Sequence, residues 1–75
     1  MDTRVAVISI IVAQEESVAR LNSLLHDYAQ YIIGRMGLPY RAKDVNIICV
    51  AVDAPRDIIS ALSGKLGELP GVTAK

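Results

Sequence analysis

The chain has no tryptophan and no phenylalanine, one cysteine, one histidine, three prolines and no excess of either charge. A single cysteine excludes an internal disulfide, and without a C-x-x-C pair there is no zinc-ribbon spacing. Eight basic residues balance eight acidic ones, so the formal net charge is zero. A domain that holds nucleic acid through its phosphates shows a basic patch or arm, and none is visible; direct nucleic-acid binding by this chain is not expected. No stretch reaches the roughly 20 apolar residues of a membrane helix. The opening MDTRVAVISIIVAQEE has an arginine before an apolar run, yet it is β-branched and passes straight into charge without a small-residue cleavage pattern. It reads as a strand and not as a signal segment. No membrane contact and a reducing, cytoplasmic setting are the expectation.

What is abundant is aliphatic side chain: 52% of the 75 residues are hydrophobic. One domain over residues 1–75 is expected, and a domain this small buries only roughly 60% of its unfolded surface. That apolar share exceeds what so small a core absorbs, so part of it belongs to an interface between copies.

Val5 to Ala13 is a strand-length β-branched run with apolar residues at both parities, as in a strand covered on both faces. Glu15 and Glu16 stand where a helix start favours negative charge, and Val18, Leu21, Leu24 and Leu25 make one helical stripe fading near His26 and Asp27. Tyr31, Ile32 and Ile33 open a second strand reaching about Met36; Gly37 to Asp44, with Pro39, reads as a loop. Val45 to Val52 is a third strand. Asp53 and Pro55 then suggest a capped helix start, with Ile58, Ile59, Leu62, Leu66 and Leu69 as its buried stripe. Lys65, Gly67 and Pro70 mark its end, and Val72 to Ala74 is a short last strand.

The order β-α-β-β-α-β predicts an α+β, ferredoxin-like sandwich: a four-stranded antiparallel sheet with both helices on one face. Strands one and three, the most apolar, take its centre. Helices on one face leave the other bare, and burial is worth about 25 cal/mol per Å², so a homo-oligomer, dimer or tetramer, is expected. The parity split sends Ile8, Ile10, Val12, Ile48, Val50 and Val52 toward the helices. Val5, Val7, Ile11, Val45, Ile47 and Cys49 then face a partner subunit. Neither set is polar, so the opposite assignment stays open.

The segments LLHDYAQYIIGRMGLPYR, NIICVAVDAPRDIISALSGKLGELPGV and VAVISIIV resemble the small iron-only hydrogenase system regulator family, over nearly the whole chain. The most specific parts are residues 26–40 and 59–72. The resemblance implies an ACT-like, ferredoxin-type fold, an oligomer and a regulatory role. ACT domains that bind amino acids carry a glycine in the turn after the first strand, where this chain reads AQEES. The nickel-responsive regulator, similar in fold, uses several histidines and a cysteine per site; this chain has one of each.

Residues 26–40 concentrate the unusual side chains: His26, Tyr28, Tyr31, Arg35 and Tyr40, with Gly34, Gly37 and Pro39. Tyr28, Tyr31 and Tyr40 with Arg35 are candidates for a pocket holding a small carboxylate ligand, or else pack on helix ends and subunits with hydroxyls outward. His26 is either a metal ligand shared across an oligomer or, as expected here, a cation suited to a helix C-terminus. Cys49, among Ile47, Ile48, Val50 and Ala51, reads as apolar filler and not as a redox or metal thiol. GKLGELPG lacks Walker spacing, and no nucleophile–base set or cofactor fingerprint appears, so neither enzyme activity, a cofactor nor a resident metal is expected. The functional expectation is a regulatory or small-ligand-sensing oligomer, acting on transcription only through a ligand or partner protein. The alternatives are a non-catalytic interaction module and a metal-responsive sensor built on His26.

Overall fold

Two long central strands organise the chain. β1 (Arg4–Val12) and β3 (Val45–Ala54) run antiparallel from Arg4 opposite Ala54 to Val12 opposite Asn46. The computed structural model describes residues 2–75; of the expected domain, Met1 alone lies outside the described residues. β2 (Ile32–Tyr40) pairs with β3, and β4 (Val72–Ala74) with β1, giving the antiparallel order β2-β3-β1-β4. Reciprocal backbone bonds between Ser9 and Lys75, 2.9 and 3.0 Å, prolong the short β4 pairing. Helices α1 (Val18–Asp27) and α2 (Arg56–Gly67) complete the ferredoxin-like βαββαβ arrangement expected from the sequence.

The helices cover the face that the parity split assigns to them. Ile8, Ile10, Val12, Ile48, Val50 and Val52 are all buried, together with Leu21 and Leu25 of α1 and Leu62 and Leu66 of α2. Each such aliphatic side chain contributes roughly 1.5–3 kcal/mol on full burial. Leu69 and Val72 close the same core beyond α2. Among the described residues no helix is long and apolar enough to cross a membrane.

Three local expectations are corrected. β2 does not stop near Met36: it continues through Gly37, Leu38 and Pro39 to Tyr40, and only Arg41–Lys43 form a short 3-10 turn. Because β2 is the sheet edge, a proline's missing N–H is tolerated there, as it would not be in a central strand. Tyr31 belongs to a 3-10 turn, Ala29–Tyr31, before the strand. Asp53 is no helix cap; it pairs with Val5 inside β3, and the N-cap is Pro55, whose carbonyl accepts Ile58 N–H and Ile59 N–H at 3.0 and 3.1 Å. A 3-10 turn, Glu15–Ser17, likewise precedes α1.

Candidate functional site

Residues 26–40 run from the last turn of α1 into the edge strand, and the backbone distributes their side chains to three places. α1 ends without glycine: the Tyr28 N–H bonds the Leu24 and Leu25 carbonyls at 3.2 Å, and the chain tightens into the Ala29–Tyr31 turn. β2 then starts with an irregularity, since Ile32 pairs with Val52 and Gly34 with Ala51, leaving Ile33 unpaired. Such a bulge re-aims the side chains beside it.

Beyond the bulge, Arg35 pairs with Val50, on the helix-facing parity of the sheet. Its Nη1 donates to Asn22 Oδ1 of α1 at 3.2 Å. His26 lies one helical turn after Asn22, and the two line a shallow groove with Leu25, Ala29, Ile32 and Arg35, about 350 Å³. An apolar floor with a guanidinium at one wall and an imidazole beside it can hold a small anion with an aliphatic body. Of the five candidate ligand residues, His26 and Arg35 are the two that line this groove.

Tyr28 and Tyr31 stand apart from this groove, with ring centroids 6.4 Å from each other and planes tilted by 44°. Tyr28 is half-buried and bridges the helices: Lys65 Nζ of α2 donates to its hydroxyl oxygen at 2.9 Å and lies 5.3 Å from the ring centroid. The hydrogen bond to Tyr28, with the nearby charges of Asp27 and Glu68 adding to it, raises the Lys65 ammonium above the usual lysine pKa. Tyr40 is at the far end of β2, lining a separate cleft of about 200 Å³ with Glu15, Arg41, Asp44 and Asn46 among others. No group of three or more His, Cys, Asp or Glu side chains suited to one metal ion occurs among the described residues.

The face away from the helices carries the six residues expected there. Val5 and Val7 are 73% and 62% exposed, Ile11 is exposed, and Val45, Ile47 and Cys49 are half-buried in the middle of the sheet. β2 sets Met36, 58% exposed, opposite Cys49, and its extension adds Leu38, 53% exposed, opposite Ile47 and Tyr40 opposite Val45.

Sequence reasoning missed three contributors. Asn22 had a signal, its four-residue spacing from His26 on one helix. Leu38 was hidden by the loop reading of Gly37 and Pro39. Lys65, 37 residues from Tyr28, had no local signal at all. It also lines a groove of about 510 Å³ with Ala19, Arg20, Ser23, Leu24, Glu68 and Leu69 between the helices.

No curated protein matches the chain. Among solved structures, the uncharacterized protein TM1266 from Thermotoga maritima superposes with a TM-score of 0.93 at 36% identity, over 99% of this chain and 94% of that one. Residues 4–75 match the family described as "TM1266-like: Iron-only hydrogenase system regulator, putative". With the same fold, this identity and a match along nearly its full length, the chain belongs to the TM1266-like iron-only hydrogenase system regulator family.

Proposed function

We propose that the protein is a regulatory, small-ligand-sensing ACT-like module of the cytoplasm. It works as a homo-oligomer and reaches its targets through a ligand or a partner protein, without chemistry or nucleic-acid contact of its own. The observation that carries this reading is the bare sheet face, on which Val5, Val7, Ile11, Met36 and Leu38 stay exposed around a half-buried Ile47 and Cys49. An apolar face of several hundred Å² is a strong drive to associate. The family description supports the regulatory part. The groove bearing Arg35 and His26 supports the sensing part, and Arg35 is the residue that takes a ligand carboxylate.

Light scattering on a size-exclusion column tests the assembly: a dimer or larger is expected at micromolar concentration, and Val7→Asp should turn it into a folded monomer. A wild-type monomer would overturn the reading. A thermal-shift screen of amino acids, other small carboxylates and divalent metals tests the sensing. A carboxylate hit lost in Arg35→Ala is expected.

The same face favours a second reading, an interaction module whose exposed β2 residues Ile33, Met36 and Leu38 dock a different protein. A wild-type monomer that forms a stoichiometric complex with one partner would put that reading first.

A further inference from the structure

The bare sheet face is not uniform, and its relief is arranged in matched halves. Strand registers set side chains of this face in rows across the sheet. Met36, Cys49 and Ser9 form the middle row. One step toward the β1 start, the row is Gly34, Ala51 and Val7, and these line a hollow of about 310 Å³ with Arg35, Met36 and Cys49. One step the other way, the row is Leu38, Ile47 and Ile11, a ridge of longer side chains.

Small stands against large at equal distances on the two sides of the middle row: Gly34 against Leu38, Ala51 against Ile47, Val7 against Ile11. The fold of one chain does not itself demand the smallest of these. A Cβ at Gly34 would meet no heavy atom within 4 Å, and its φ lies outside the left-handed region. The hollow is therefore open to a side chain from outside the chain.

Resting on the proposed sheet-face association, we infer that two copies pack face to face about a two-fold axis along the Met36–Cys49–Ser9 row, ridge into hollow. This axis puts β3 across β3, so Cys49 meets Cys49 of the second copy, and Ile47 meets Ala51. Charge agrees with size. Asp53, exposed at the hollow end, then approaches the Val45 end of the second copy, where the two cations of the turn Arg41–Lys43 outnumber the single carboxylate of Asp44. An axis parallel to the strands would instead lay ridge on ridge and carboxylate beside carboxylate. Three strands about 4.8 Å apart and nine or ten residues long, with the three-residue β4 beside them, present on the order of 450 Å². Two such faces bury about 900 Å², just under the roughly 1,000 Å² that a stable interface clears, so the fit of ridge and hollow decides its affinity.

The test places single thiols at the two ends in a Cys49→Ser background, as Asp53→Cys and Val45→Cys. Each protein alone and a co-refolded mixture are treated with a short bis-maleimide, suited to the about 10 Å spacing of packed sheets. The mixture should give a covalent heterodimer as its main product, with little cross-linking of either variant alone. Gly34→Leu, which fills the hollow, should raise the dimer dissociation constant about tenfold or more while the far-ultraviolet circular dichroism stays native. A dimer that Val7→Asp abolishes, but in which Asp53→Cys links to itself or nothing links, overturns this arrangement and leaves sheet-face association standing. A wild-type chain that stays monomeric overturns both.

Discussion

Ser17 Oγ donates a 2.6 Å hydrogen bond to the Pro70 carbonyl, 53 residues away, and Ser17 is the one buried polar side chain among the described residues. It fastens the turn entering α1 to the turn leaving α2, the two connections that hold both helices on the same sheet face. Removing the hydroxyl takes a part-buried bond from the carbonyl of exposed Pro70, which costs about 1 kcal/mol. For a domain of this size each kcal/mol moves Tm by about 4–8 °C. Ser17→Ala should therefore melt at least about 4 °C lower by circular dichroism. A melting curve superposable on the wild type would show that the bond contributes nothing net.

The neighbouring Gly71 is fixed by geometry more severely. Its φ is +70°, and an added Cβ would sit 2.6 Å from Gln14 Cγ and 3.0 Å from Gln14 Cβ. Gly71 also supplies the carbonyl that accepts Ala13 N–H at 2.7 Å. Gly71→Ala combines a left-handed backbone with a clash and should cost roughly 1–3 kcal/mol. Adding Gln14→Ala removes Cγ and should recover part of that loss, leaving the backbone share. If the double variant is no more stable than the single one, the contact with Gln14 is not the cause.

How much of this was legible depended on whether a residue's partner was near in sequence or implied by a repeat. The strand-length β-branched runs of β1 and β3, with the helical stripes Leu21/Leu25 and Leu62/Leu66, were enough to fix the fold. Both strand parities are aliphatic, so the sequence left open which face the helices take; the structure resolves it through the burial of Ile8, Ile10 and Val12. β2 was half-read because Gly37 and Pro39 are loop-like by local chemistry, and only its edge position makes them compatible with a strand. At the candidate site, Arg35 and His26 were legible as unusual residues, whereas their common groove required knowing that β2 bulges at Ile33 and returns beside α1. Tyr28 and Tyr40 share a motif in the chain and opposite ends of β2 in space.

The Lys65–Tyr28 contact carries a pH signature whose sign follows from linkage. Its hydrogen bond to Tyr28 raises the lysine's pKa in the folded protein above the ordinary value. The stabilisation is therefore fully present below the ordinary lysine range, near about 10.4, and is lost as pH rises through the raised folded value. Lys65 is exposed, so solvent screening keeps the effect small. Lys65→Met should lower Tm by about 2 °C or less, by the same amount at every pH from neutrality to the ordinary lysine range. A Tm difference that grows or vanishes within that window would contradict the linkage.

Arg35 and Asn22 give the sharpest separation between stability and ligand recognition. Their 3.2 Å bond is exposed, so its loss costs little: Arg35→Ala and Asn22→Ala should each stay within about 0.5 kcal/mol of wild type. For an anion in the groove the two variants diverge. Arg35→Ala removes the charge that pairs with a carboxylate, a charge-assisted hydrogen bond worth about 1.5–3 kcal/mol, so affinity should fall about tenfold or more. Asn22→Ala frees the guanidinium from its protein partner and should leave affinity unchanged or raised. His26→Ala should weaken a carboxylate less than Arg35→Ala does, because the guanidinium alone offers paired donors in a fixed fork. Calorimetric titration of each variant with the best carboxylate from the thermal-shift screen measures all three. Equal losses in Arg35→Ala and Asn22→Ala would mean that the pair acts as a structural clasp and that the groove does not read charge.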